Sequence, residues 1–143
     1  MSKFSKTLAG TIVSVAAMMA LGFTVSATEV KWTYTVYTTY TSGSYAMTGT
    51  FTKIKLEEDP ICAYSVATMT DTLQEKNGLL WNTKDLDQTH AVADGKHTSW
   101  WYADDEDNYR IKVKAMNNVE ENSGLNDITW GIYCADSRLY TSN

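Results

Sequence analysis

Proline occurs once in the 143 residues, at Pro60, and cysteine and histidine occur twice each. The chain has no G-x-S-x-G nucleophile elbow and neither cysteine has a histidine beside it, so the common local signatures of a covalent catalyst are missing. Beyond residue 24 no apolar run is long enough to span a bilayer. Basic residues are scarce too: 12 Lys and Arg stand against 17 Asp and Glu, a formal net charge of −5. Such a chain repels phosphate backbones and anionic lipid unless its lysines gather on one patch, so nucleic acid is not an expected partner.

What is present begins with Lys3 and Lys6, an uncharged stretch from Thr7 to Thr24, and Val25-Ser26-Ala27. A basic start, an apolar middle and a small-x-small site make a secretory signal peptide, with cleavage expected after Ala27. The expected organisation is a signal peptide over 1–27 and a single mature β domain over 28–143, secreted and extracellular, with no integral membrane span after cleavage. No cysteine follows the cleavage site to take a lipid, and residues 138–143 are not a hydrophobic tail. Loss of Lys3 and Lys6 would take the net charge from −5 to −7. Cys62 and Cys134 both fall in the mature part of a chain bound for an oxidising compartment, so a Cys62–Cys134 disulfide is expected. On the chain-entropy model a bridge closing so long a loop stabilises by about 4 kcal/mol.

Thr, Tyr and Trp are abundant after residue 27, and these residues suit a pleated, half-buried surface. Val30, Trp32, Tyr34 and Val36 alternate with polar residues, and a shift of period over Tyr37 to Tyr40 reads as a bulge before a Ser42-Gly43-Ser44 turn. Met47 to Leu56 and Ile61 to Thr68 read as strands separated by a Glu57-Glu58-Asp59-Pro60 turn, with Cys62, Tyr64 and Val66 on one face. Asp71 and Gln74 have the spacing of a helix cap, with Gly78 as its stop. Asp94-Gly95 is a hairpin signal between Thr89–Ala93 and Lys96–Ala103. Tyr109, Ile111, Val113 and Ala115 face one way, and Arg110, Lys112 and Lys114 the other. Ile128, Trp130, Ile132 and Cys134 make a last strand after a polar loop over 117–127. These elements predict an all-β fold, a small antiparallel β-sandwich or partly open barrel with one inter-strand disulfide and at most one short helix.

Three constellations carry candidate chemistry. Across a two-residue Asp94-Gly95 loop, His90 and His97 are diagonal neighbours that can share Zn²⁺ with a carboxylate such as Asp85 or Asp87; the plainer reading is two polar side chains on a solvated face. Asp104, Asp105 and Asp107 crowd one connection, where packed carboxylates can hold a weak calcium ion or simply remain a solvated loop. No other cofactor is expected. Trp100, Trp101 and Tyr102 are consecutive, so a strand must send Trp101 one way and Trp100 and Tyr102 the other. Either both faces are buried or a large aromatic is exposed for stacking on a sugar or contacting another protein.

The Trp32-Thr-Tyr34-Thr-Val-Tyr37 strand, the Ser-Gly-Ser turn, the Tyr109-to-Asn118 strand and the Thr129-Trp130-Gly131 ending give an outline that resembles small exported proteins of unknown function from Gram-positive bacteria. It is also similar in texture to the lactococcin-type secreted β-sandwich bacteriocins, a resemblance that implies an antagonist of neighbouring cell envelopes. The leading expectation is a secreted, non-enzymatic binding module for a surface glycan or protein, with self-association through exposed edge strands left open. The alternatives are the bacteriocin-like antagonist and a small extracellular enzyme gathering His90, His97 and carboxylates in a concave site.

Overall fold

The computed structural model describes residues 13–14, 25–64, 66–118 and 131–143. In chain order the strands are β1 (Val13–Ser14), β2 (Val25–Ala27), β3 (Glu29–Val36), β4 (Thr39–Thr41), β5 (Tyr45–Met47), β6 (Lys53–Glu58), β7 (Pro60–Ile61), β8 (Thr68–Asn77), β9 (Leu80–Ala91), β10 (His97–Tyr102), β11 (Asn108–Met116) and β12 (Ile132–Ser142). A single 3₁₀ turn, Val92–Asp94, separates β9 from β10. The strands form two six-stranded sheets, which makes the fold a β-sandwich. Sheet A runs β1-β3-β12-β6-β10 with β7 also on β12, and sheet B runs β2-β5-β11-β8-β9 with β4 also on β11. All pairings are antiparallel except β1 with β3 and β2 with β5.

Alternation decides which side chains enter the core. Val30, Trp32, Tyr34 and Val36 of β3 are buried, as are Tyr109, Ile111, Val113 and Ala115 of β11, while Lys112 and Lys114 point to solvent. Ile54 and Leu56 of β6, Met69 and Leu73 of β8, Trp101 of β10 and Leu139 of β12 fill the space between the sheets. Each fully buried Leu or Ile removes enough apolar surface from water to stabilise by roughly 1.5–3 kcal/mol.

The chain changes sheet after β1, β2, β3, β5, β7, β9, β10 and β11, and this crossing accounts for most differences from the sequence reading. The period shift after Val36 is the passage of the chain into sheet B, where Tyr40 pairs with Val113, rather than a bulge. The expected strand over 47–56 is two short strands in different sheets, divided at Gly49, whose φ of +98° favours glycine. Glu57 and Glu58 belong to β6, and most of 61–68 is irregular, with Tyr64 buried but Val66 exposed. The cap-like Asp71 lies in the middle of β8, because pairing on both sides with β11 and β9 outweighs a local capping preference. Gly78, read as a helix stop, is in the two-residue turn of the β8–β9 hairpin, where Asn77 faces Leu80.

The Cys62–Cys134 bridge is not formed; both cysteines are free thiols. Cys134 is buried on β12 opposite Pro60, and the chain leaves the ladder after Ile61, so Cys62 is carried past the position that would face it. Most of the expected signal peptide and residues 119–130, including Ile128 and Trp130, lie outside the described residues. The parts of 1–27 that are described, β1 and β2, are each the end strand of a sheet, so cleavage after Ala27 would trim one edge from each sheet. Among the described residues no helix is long and apolar enough to cross a membrane.

Candidate functional site

At one side of the sandwich the edge strand β9 of sheet B meets the edge strand β10 of sheet A, and side chains close the seam. The Gln88 amide accepts from the Trp100 backbone N–H at 3.1 Å and donates to the Trp100 carbonyl. The Trp101 indole N–H donates to the Leu86 carbonyl at 3.1 Å. Beneath these bonds a polar cluster is shut into the interior.

Three strands place members by alternation at core-facing positions: Glu58 of β6 follows Ile54 and Leu56, Asp71 of β8 lies between Met69 and Leu73, and His97 and Ser99 of β10 precede Trp101; His90 joins them from β9. Ser99 Oγ donates to Asp71 Oδ2 at 2.6 Å, so it accepts the bond from His90 Nε2, at 2.7 Å, which makes the neutral His90 the Nε2–H tautomer. His97 Nε2 stands 3.4 Å from Asp71 Oδ2 and 3.5 Å from Glu58 Oε2. The other Glu58 oxygen accepts from the Tyr34 hydroxyl at 2.5 Å, and the Tyr34 ring stacks on Tyr40 with centroids 4.1 Å apart.

Burial, then the neighbouring Asp71 charge, pushes the Glu58 carboxyl up to about 7. Burial opposes protonation of His97, but the Asp71 and Glu58 carboxylates outweigh it and raise this imidazole to about 9. His90 moves the other way, lowered by burial and by the adjacent His97 charge. The buried thiol of Cys134, near Glu58, is pushed up to about 12, which holds it in the unreactive protonated form. Ser99, His90 and Asp71 have the residue types of a nucleophilic triad but not its arrangement. The serine is fully buried, and its proton goes to the carboxylate rather than to the imidazole.

A different surface lies on the outer face of sheet A. Trp101 is 1% exposed, whereas Trp100 and Tyr102 are 40% and 60% exposed, so the strand splits the three aromatics between core and solvent. Trp100 and Tyr102 meet edge to face with ring centroids 5.1 Å apart, and Lys53 Nζ lies 5.1 Å and 5.8 Å from the two rings. The register sets Lys55 between Tyr140 of β12 and Trp100 of β10, and Lys53 beside Tyr102. Arg138 covers Tyr140, its guanidinium carbon 4.1 Å from the ring centroid. An acidic protein thus presents one aromatic face edged with cations.

The two histidines do come together, their rings stacked 3.8 Å apart, but not across an Asp94-Gly95 hairpin: β9 and β10 lie in different sheets, and His97 faces Glu58 of β6. Of their expected carboxylate partners, Asp87 accepts from the Thr72 hydroxyl at 2.8 Å, and the Asp85 side chain lies outside the described residues. The residues that sequence reasoning missed are Asp71, Glu58 and Ser99. Asp104 and Asp105 are exposed in the β10–β11 connection, and Asp107 accepts from the Asn108 backbone N–H at 2.7 Å. Among the described residues the donor atoms that converge closely enough for one ion are those of Asp71, His90 and His97. No protein-family model matches the sequence, and no curated protein matches it.

Proposed function

We propose that this chain is a secreted, non-enzymatic binding module that attaches to a glycan on a cell surface through the outer face of sheet A. The observation that supports the reading is the exposed Trp100–Tyr102 pair flanked by Lys53 and Lys55. Water gains from covering a large exposed aromatic surface, and a flat ring offers an apolar plate for the C–H face of a sugar. The lysines beside the rings suit a polymer that carries carboxylate or phosphate groups, and the negative charge elsewhere on the protein discourages attachment by other faces. A protein partner with an acidic rim would use the same face.

Co-sedimentation of the purified protein with intact bacterial cells and isolated cell walls tests this reading. Wild type should pellet with the walls and be released by soluble wall polysaccharide, while Trp100→Ala and Tyr102→Ala should stay in the supernatant. Binding that survives the double substitution, or no binding to any wall, would sink it. Viability counts on the coated cells separate attachment from envelope antagonism.

A further inference from the structure

We propose that Asp71, His90 and His97 bind a zinc ion, a site independent of the glycan-binding face. The observation that points to an ion is unmet polar valence. Of seven buried side-chain nitrogens and oxygens without a hydrogen-bond partner among the described residues, four lie here: Glu58 Oε2 and His97 Nε2, which meet only as an ion pair at 3.5 Å and which an ion would take up, and Asp71 Oδ1 and His97 Nδ1, which lie on the far side of their groups from it. Buried polar atoms are nearly always satisfied, and a cluster of exceptions marks a missing partner. Two carboxylates, Glu58 and Asp71, are fully buried beside one ring placed to balance them, and several kcal/mol of desolvation for each buried charge makes an added cation favourable.

The donor geometry agrees. Tetrahedral zinc with bonds of ~2.0–2.2 Å holds its donor atoms roughly 3.3–3.5 Å apart. His97 Nε2 and His90 Nε2 lie 3.4 Å and 3.8 Å from Asp71 Oδ2, and all three donor atoms fall within 4.8 Å of one another. Because each lone pair lies in its ring plane, zinc binding requires the stacked pair to open until the two ring planes meet at the ion, a rotation that falls to the partly exposed His90. Two imidazoles and one carboxylate select zinc over calcium or magnesium, which prefer all-oxygen sets. Glu58 Oε2, 3.5 Å from His97 Nε2, is close enough to supply a fourth ligand. Ser99, bonded to Asp71 Oδ2, holds that carboxylate in place. On binding, His97 releases its proton to solvent and the His90 proton moves from Nε2 to Nδ1, so both Nε2 lone pairs reach the metal.

The test is calorimetric titration of the chelator-stripped protein with Zn²⁺, followed by Co²⁺ as a visible-absorption probe. Expected are one ion per chain, a rise in Tm with added zinc, and the intense absorption of tetrahedral cobalt. His90→Gln and Asp71→Asn should each weaken binding by at least the roughly 10–100-fold that loss of an outer-shell partner costs, while Asp87→Asn should not. If Asp71→Asn does not fold, His90→Gln, whose ring is partly exposed, carries the comparison. Absence of heat and of any Tm change at millimolar zinc, or equal affinity in wild type and His90→Gln, would overturn the proposal.

Discussion

The rings of His90 and His97 stack 3.8 Å apart and 14° from parallel, although one belongs to sheet B and the other to sheet A. They are joined through Asp71, which lies within 3.8 Å of both Nε2 atoms. This contact ties the two sheets together with groups that titrate, and it makes stability depend on pH.

In the metal-free protein the folded state holds protons more tightly than the unfolded chain at two of these groups. His97 is raised from 6.5 to about 9, so its contribution is complete below pH 6.5 and is lost as pH rises through about 9. Glu58, raised from 4.5 to about 7, contributes fully below pH 4.5 and loses its contribution as pH rises through about 7. His90 has the opposite sign, its contribution present above 6.5 and lost on acidification. Thermal melts in chelator should therefore show Tm falling between pH 6.5 and pH 9.5. Glu58 adds a fall of its own between pH 4.5 and about 7, and Glu58→Gln should remove that one. A Tm that rises across this window would contradict the assignment.

Trp100 and Trp101 are adjacent yet should respond differently to truncation. Trp101→Ala leaves a large cavity and an unpaired Leu86 carbonyl, and should cost about 3–5 kcal/mol in urea unfolding. Trp100→Ala should cost less, about 1–2 kcal/mol, since its ring is 40% exposed and packs against Tyr102 and Lys53 on the outer face, while abolishing wall binding.

Gln88 should act as a latch on the seam. Gln88→Ala deletes both bonds to the Trp100 backbone, worth about 1–2 kcal/mol together. The sharper readout is hydrogen exchange: the Trp100 amide should lose protection while amides of central β11 keep theirs. Unchanged exchange at Trp100 would show that other contacts hold the seam.

The cysteines give a direct chemical check on the fold. Denatured but unreduced protein should titrate two thiols, and Cys62→Ser should leave Tm nearly unchanged instead of costing the several kcal/mol that loss of a bridge would. Finding no free thiol would mean that the loop after β7 rearranges to bring Cys62 to Cys134.

Much of this molecule is legible from period-2 alternation. The core faces of β3 and β11 follow from it directly, and so does the division of Trp101 from Trp100 and Tyr102. The same rule puts Asp71 in line with Met69 and Leu73, and Glu58 in line with Ile54 and Leu56, which identifies both as inward carboxylates. Those positions are obscured because Asp71 imitates a helix cap and Glu58 imitates a turn. The Asn77-Gly78 pair has the form of a hairpin turn as well, a signal hidden by reading Gly78 as a helix stop.

By itself, then, the sequence determines the predominance of strand, the inward and outward sides of β3, β10 and β11, and the acidic charge, because each depends on near neighbours along the chain. Only the tertiary structure decides which sheet each strand joins, and with it that His97 faces Glu58, that Asp71 reaches both histidines and that Cys62 misses Cys134. The physical reason is that hydrophobic burial is satisfied by either sheet of a sandwich. Strand assignment therefore depends on long-range pairing that no local pattern encodes.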